Sequence, residues 1–386
     1  MAFPEGSPTL PEQPHTARVG MVGAGQLARM TLESAIALDI RLEVLADSQG
    51  DSAVRAGAPH RLGSPDDLDA LRGLAEANDV LTLDHEHVPT AMLELLASEG
   101  HAVRPGARAV LLASDKVHAR REMEAAGFPV PIWAEAASAD DVEAMAERTG
   151  WPVVLKARGG GYDGKGVHMI ESRSQAEAIM AGGEGWLVEE RVAIDIEVAV
   201  LVARRPSGDV AVYPVIETRQ VDGICHELVM PADVPEAIAQ RAREIAVALV
   251  TEADVAGIAA VEMFLTEAGE LLIGEIAVRP HNSGHATIEG SVTSQFENHL
   301  RGVLDWPLGS VEPTAPSVAM VNLLGVADCS TASRLPLGLA VPGASVHLYG
   351  KEERPGRKIG HVTAMGKTRA EALETARRAA SEMTGR

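Results

Sequence analysis

The chain has 386 residues, 46% apolar and 23% charged, with a formal net charge of −21. That length allows two or three domains, each with ample core. The acidic balance disfavours nucleic acid and anionic membranes as partners, and 3% aromatics leave little for a base-stacking platform. No apolar run approaches a membrane span, and Cys225 and Cys329 supply neither a disulfide framework nor metal spacing, which fits a reducing cytoplasm.

Residues 1–17 are proline-rich, lack an apolar stretch and are expected to form a disordered tail, neither signal nor transit peptide. Strand and helix alternate over 18–112: strands over 19–22, 42–46 and 80–83, helices over 27–38 and 66–75. This alternation predicts a parallel sheet with helices on its faces. Ser114 is expected to cap a helix running to about Ala126, stopped by Gly127-Phe128-Pro129. Shorter elements over 113–194 suggest a small α+β lid, with helices over 140–148 and 174–181 and a strand over 186–189. Residues 195–386 follow as a further unit. It has long strands over 197–203 and 210–216, a helix over 235–251, a strand pair over 258–266 and 270–277, and a closing helix over 368–383.

Between apolar stretches at 153–156 and 167–170, five glycines at 159, 160, 161, 164 and 166 let a backbone approach a ligand closely, with Lys156 and Lys165 alongside. That combination suits a polyphosphate. The spacing also matches GxxxxGK, but Gly166 stands where a P-loop has Ser or Thr, and a strand follows where that motif needs a helix. A glycine-rich hairpin over phosphates is the better fit, although a plain Gly-rich turn would show the same glycines. Gly23-Ala-Gly25-Gln26-Leu27-Ala28, with Asp47 ending the next strand, matches a dinucleotide fingerprint and opens a rival reading as a nicotinamide-dependent oxidoreductase. The same turn could take any phosphate or carboxylate.

A two-residue loop at Ala268-Gly269 would pair residues whose numbers sum to 537, placing Glu262 opposite Glu275, beside Phe264 and Ile273. Facing like charges need compensation, and Mg²⁺ shared with phosphates is the natural one. A solvated edge bearing harmless acids is the alternative. In the polar loop that follows, Arg279, His281 and Asn282 could bind an anion or orient a substrate. A zinc site from His281 and His285 is opposed by Pro280 and Gly284. His85-Glu86-His87 at a strand end is expected to line a polar loop. A turn at Pro355-Gly356 would gather Arg354, Arg357 and Lys358 for phosphate, or leave them as a solvated basic loop.

These strings together resemble the ATP-grasp superfamily and, within it, the N5-carboxyaminoimidazole ribonucleotide synthetases of purine biosynthesis. The likeness runs from about Val19 to Gly366. It rests on the residues 23–30, on Lys156 with 160–166, on Glu275 with 279–285, and on 354–361. It implies α/β and α+β architecture. An N-terminal Rossmann-like (pre-ATP-grasp) parallel-sheet domain (18–112) would precede a small ATP-grasp lid (113–194) and a C-terminal mixed-sheet domain (195–386). It also implies that ATP, bicarbonate and 5-aminoimidazole ribonucleotide give the N5-carboxylated nucleotide through carboxyphosphate, in a cytoplasmic homodimer using two Mg²⁺ ions with ATP. A sibling ligase, such as a formate-dependent glycinamide ribonucleotide transformylase, is the nearest alternative.

By the same resemblance Lys116 and Lys156 face the nucleotide phosphates, and Gly161, Tyr162, Asp163, Gly164, Lys165, Gly166 and Val167 cover ATP. Glu189, Glu190, Arg191 and Val192 line the adenine hinge, Glu197 takes the ribose hydroxyls, and Gln220 and Gly274 complete the ATP site. Glu262 and Glu275 hold the metal. Gly25, Gln26, Tyr162, Asp163, His281, Asn282, Lys351, Arg357 and Lys358 hold the ribonucleotide. Asp163 is the candidate base and Arg279 the bicarbonate or carboxyphosphate anchor, with His281 and Lys156 also catalytic. The chain departs from the family pattern at Gly274 (usually Asn), Gln220 (usually His), Lys116 (often Arg) and Val278 (commonly Pro), and residues 1–17 have no counterpart.

Overall fold

The structure, a computed structural model, describes residues 16–160, 166–183, 185–326 and 330–385. The tail expectation, residues 161–165 and Cys329 lie outside them, apart from Thr16 and Ala17. The first unit contains β1 (Arg18–Val22), α1 (Gln26–Ala37), β2 (Arg41–Ala46), α2 (Ser52–Arg55), β3 (His60–Leu62), α3 (Leu68–Ala77), β4 (Val80–Leu83), α4 (Thr90–Ser98) and α5 (Ala107–Ser114). Its four strands form a parallel sheet in the order β3-β2-β1-β4, as the strand–helix alternation requires. All but the edge strand β3 are buried along nearly their whole length, as expected of a parallel sheet covered by helices.

The lid comprises α6 (Lys116–Ala125), β5 (Trp133–Ala136), α7 (Ala139–Thr149), β6 (Val153–Ala157), β7 (Val167–Ile170), α8 (Arg173–Met180) and β8 (Trp186–Glu190). Its antiparallel sheet runs β5-β8-β6-β7, with α7 and α8 closing a separate small core around Val142, Leu155 and Val188. The cap of α6 differs from expectation. Ser114 ends α5, and Asp115 caps α6 by accepting from Val117 N (3.1 Å) and His118 N (2.9 Å). A carboxylate competes at least as well as a hydroxyl for exposed helix N–H groups.

The remaining elements are β9 (Ile194–Arg204), β10 (Val210–Val212), β11 (Ile216–Val221), β12 (Ile224–Met230), α9 (Glu236–Glu252), β13 (Gly257–Thr266), β14 (Leu271–Ala277), α10 (Thr287–Gly290), α11 (Gln295–Val303), β15 (Ser317–Leu324), α12 (Leu335–Leu339), β16 (Ala344–Leu348), β17 (Lys358–Gly366) and α13 (Arg369–Thr384). Their nine strands make one sheet, β14-β13-β9-β11-β12-β15-β17-β16 with β10 beside β9, and its described ladders are antiparallel. The strand expected over 210–216 is two strands, because Pro214 has no N–H to give a ladder.

Candidate active site

The hairpin bearing the two acids forms as expected at the decisive pair, and by a different route. Near the loop its register is Leu265–Leu271, Phe264–Leu272 and Met263–Ile273. A bulge at Gly274 then shifts it, so that Glu262 faces Glu275. Phe264 therefore pairs with Leu272, not Ile273, and Ile273 is fully buried. A Cβ at Gly274 would lie 3.0 Å from the tip of the Phe264 ring, so aromatic carbon fills the space that a side chain at 274 would need. Glu275, on the edge strand β14, keeps 53% of its side chain exposed, with its Oε2 3.7 Å from Lys116 Nζ. Burial, together with the charges of Glu275 and Glu197, pushes the Glu262 carboxyl up to about 8. The two carboxylates offer only oxygen donors, which is the donor chemistry of a Mg²⁺ site.

Lys116 opens α6, and its N–H bonds Arg158 O (2.9 Å), docking the helix against the glycine hairpin. Asp115 strengthens the joint by also accepting from Arg158 Nε at 2.8 Å. Gly160 and Gly166 both take positive φ (74° and 77°) at the two ends of that hairpin. Gly161, Tyr162, Asp163, Gly164 and Lys165 lie outside the described residues. Val167 sits opposite Lys156 in the β6–β7 ladder.

Lys156 is largely buried and its ammonium contacts the Glu189 carboxylate, which also takes Arg120 Nε. Arg120 in turn donates to Gly274 O at 2.6 Å. Burial lowers the Lys156 pKa, and the nearby Arg120 and Lys116 lower it further against the opposing pull of Glu189. Burial would raise Glu189, but Lys156 and Arg120 outweigh it and hold the carboxyl below its ordinary value. The Glu189 side chain, expected at the adenine hinge, is thus occupied in an internal clamp. Its strand position turns it toward Lys156. Glu190 instead accepts from Ile132 N (2.8 Å), and Arg191 and Val192 follow the end of β8.

Glu197 lies beside Phe264 and Thr218 on neighbouring strands. Burial raises its pKa, and a hydrogen bond from Gln220 opposes that rise. These two predicted residues are therefore together.

Arg279 places its Nε 3.0 Å from Glu86 Oε2 and its Nη1 3.0 Å from Pro280 O. His281 Nδ1 lies 3.8 Å from Glu262 and 2.9 Å from Ser283 Oγ. Burial first, then the charges of Arg279 and Lys358, keep this imidazole neutral. Gln295 brackets the His281 backbone, accepting from its N–H (2.9 Å) and donating to its O (2.7 Å). A Cβ at Gly284 would meet that carboxamide at 2.2 Å, which accounts for the glycine. Asn282 Nδ2 is buried and finds no acceptor among the described residues.

The turn at Pro355-Gly356 forms, with Arg357 N bonding Arg354 O at 3.0 Å and Gly356 at φ 75°. It does not gather all three cations. Arg354 pairs with Glu352 and Arg357 bonds Glu352 O (3.1 Å), both at the surface, whereas Lys358 begins β17 and is buried. The Lys358 charge is felt at Glu262, His281 and His285. Lys351 Nζ stands 6.0 Å above the Tyr349 ring. His285 serves packing: it stacks on Phe296 and on His361 (5.0 Å), and His361 stacks on His347 (4.6 Å). Among the described residues no group of three His, Cys, Asp or Glu side chains could hold a metal.

The fingerprint turn carries a finding that bears on the oxidoreductase reading. Asp84 is buried against it and accepts from Gly25 N at 2.7 Å. A Cβ at Gly23 would fall 2.0 Å from Asp84 Oδ1. The protein's own carboxylate fills the place where a dinucleotide phosphate would lie. Gly25 thus has its amide engaged, and Gln26 is half-buried at the first position of α1. Asp84, Glu86, Arg120 and Gln295 were missed as site residues. Glu86 stood within a noticed string, but its partner is 193 positions away. A cavity of about 280 Å³ lined by Arg108, Leu112, His118, Met123, Phe128 and Leu249 holds none of these groups.

Three family models match the chain in series: Ribonucleotide synthetase preATP-grasp domain over 16–114, ATP-grasp domain over 121–296, and Phosphoribosylaminoimidazole carboxylase C-terminal domain over 318–375. Fold and site together define an ATP-grasp enzyme of the ligase type. The N5-carboxyaminoimidazole ribonucleotide synthase of Mycobacterium tuberculosis (strain ATCC 25618 / H37Rv) is 46% identical over 371 residues, covering 94% of this chain and 86% of that protein. Two crystal structures of the corresponding Aspergillus clavatus enzyme, each 35% identical, cover 95% of this chain and 98% of theirs. One is complexed with ATP (TM-score 0.89), the other with ADP and 5-aminoimidazole ribonucleotide (TM-score 0.87). The chain belongs to the N5-carboxyaminoimidazole ribonucleotide synthase family.

Proposed function

We propose that this enzyme uses ATP and bicarbonate to carboxylate 5-aminoimidazole ribonucleotide at its exocyclic amine, in purine biosynthesis. Bicarbonate oxygen attacks the γ-phosphorus, ADP leaves, and carboxyphosphate forms. Its breakdown to phosphate and CO₂ beside the amine then gives the carbamate, as the amine proton is lost to a base. The observation that carries this reading is the pair of facing carboxylates Glu262 and Glu275, with Lys116 Nζ 3.7 Å from Glu275 and His281 Nδ1 3.8 Å from Glu262.

Glu262 and Glu275 would hold Mg²⁺, two ions by resemblance, and the bound metal would neutralise charge on the transferred phosphoryl group. Lys116 and Lys156 would meet the phosphates, with Lys156 leaving Glu189 in part to do so. Residues 161–167 would cover the nucleotide and exclude water, which destroys carboxyphosphate. Glu190 to Val192 would border adenine, and Glu197, steadied by Gln220, would take the ribose. Arg279 and His281 would bind the carboxyphosphate. Asn282, Lys351, Arg357 and Lys358 would hold the ribonucleotide with Tyr162 and Asp163, the last as the base. Within this reading the working units are 18–112, 113–194 and 195–386, in a cytoplasmic homodimer. No helix among the described residues is long and apolar enough to cross a membrane.

Phosphate release from ATP, with each substrate omitted in turn, tests the reaction. Full release should require bicarbonate and the aminoimidazole nucleotide together. Release supported by formate with glycinamide ribonucleotide would assign the chain to the sibling ligase.

A further inference from the structure

Arg279 is the group on which the proposed carboxyphosphate step leans, and its guanidinium is not held by its own strand or loop alone. Glu86, on the loop after β4 in the N-terminal unit, accepts from Arg279 Nε at 3.0 Å through Oε2 and from Val278 N at 3.4 Å through Oε1. Both side chains are largely buried, 21% exposed for Arg279 and 13% for Glu86. The loop carrying Glu86 is itself anchored. Two residues earlier, Asp84 locks onto the N-terminal turn of α1 through Gly25 N (2.7 Å), with Ala28 N as a second donor. The Asp84 N–H bonds Val22 O (2.9 Å), and His87 N bonds His85 Nδ1 (3.2 Å). Acids two positions apart thus clamp two different elements.

We infer that Glu86 is a positioning residue that aims the Arg279 guanidinium at the oxyanion formed from bicarbonate, so that the N-terminal unit helps build the carboxylation site. This rests on the assignment of Arg279 as the oxyanion anchor. Glu86 takes Nε and Pro280 O takes an Nη1 hydrogen, leaving the remaining donors of the guanidinium fork in a fixed plane for a planar or tetrahedral oxyanion. Without Glu86 the side chain regains rotamer freedom, and angstrom-scale misplacement of a binding group costs about a hundredfold in rate in the extreme case. A purely structural clamp between two units would have no such selectivity among substrates.

The test is Glu86→Gln, which keeps size and removes the charge, with Glu86→Asp as a second variant that keeps the charge and shortens the reach. Inorganic phosphate serves as the oxyanion probe, titrated by ³¹P NMR against the ADP-loaded enzyme. Steady-state KM values for bicarbonate, ATP and the aminoimidazole nucleotide are measured alongside. Glu86→Gln should weaken phosphate binding and raise the bicarbonate KM by about tenfold, with ADP affinity and ATP KM within about twofold, and Glu86→Asp should show a smaller effect of the same pattern. More phosphate should be released per carbamate formed, because a poorly held carboxyphosphate escapes to water. Unchanged phosphate affinity, or a parallel rise in all three KM values, would overturn the inference. Weakened phosphate binding in a protein whose wild type never consumes bicarbonate would preserve the aiming role and remove the proposed reaction instead.

Discussion

Glu262 and Glu275 stand directly opposite each other across the β13–β14 hairpin because Gly274 bulges between them and the loop. The bulge moves the register by one residue on the side where the acids lie. Burial first, and then the repulsion from Glu275 and Glu197, push the Glu262 carboxyl up to about 8. A metal removes the need for that proton. Glu275→Gln should lower turnover by at least about a thousandfold, as expected when a group holding the phosphoryl-transfer metal is lost. Mg²⁺ titration of the residual activity checks this, since activity restored fully at high Mg²⁺ would show an affinity defect alone.

Lys156→Ala leaves Glu189 buried with Arg120 as its one charged partner among the described residues. Removing one member of a buried ion pair costs about 3 kcal/mol, and turnover should be abolished as well. Urea unfolding of Lys156→Ala beside Lys156→Met separates the two effects. Lys156→Met keeps the aliphatic volume and leaves the Arg120–Glu189 pair intact, so it should recover part of the lost stability and none of the activity.

Gly23 takes φ 97° where a methyl would meet Asp84 at 2.0 Å. Gly23→Ala should destabilise by about 3 kcal/mol, combining left-handed strain with overpacking. Thermal melting and urea midpoints would register it. A neutral effect would mean that the Asp84 contact with α1 is readily given up.

His347 meets Glu289 at 2.6 Å. Burial would lower its pKa, but the bond to Glu289 and that residue's charge more than offset this and raise it. A raised folded-state value means a contribution fully present below the unfolded-state value near 6.5 and lost as pH climbs through the folded one. The stability gap between wild type and His347→Gln should therefore be larger at pH 6 than at pH 8.5. Urea midpoints at the two pH values decide it, and a gap that widens with pH would contradict the assignment.

The alternation over residues 18–112 made the parallel sheet legible, because a half-unit of strand and helix leaves its mark within about twenty residues. The Glu262–Glu275 pair was legible for a related reason, since a hairpin keeps its partners close in sequence. The loop arithmetic named the right pair while missing the bulge, which at Gly274 is written in the Phe264 ring that fills its flank and not in any turn signal. Asp84 on α1 and Glu86 on Arg279 join segments far apart in the chain, and no local pattern announces such contacts. Lys358 shows the converse limit: three clustered cations look alike in sequence, and only the start of β17 turns one of them inward.

The measurement closest to the central claim is the fate of ¹⁸O-labelled bicarbonate during turnover with ATP and 5-aminoimidazole ribonucleotide, followed in phosphate by mass spectrometry or ³¹P NMR. Passage through carboxyphosphate moves one bicarbonate oxygen into each phosphate released, and that is the expected result. Phosphate free of label, formed in step with product, would contradict it.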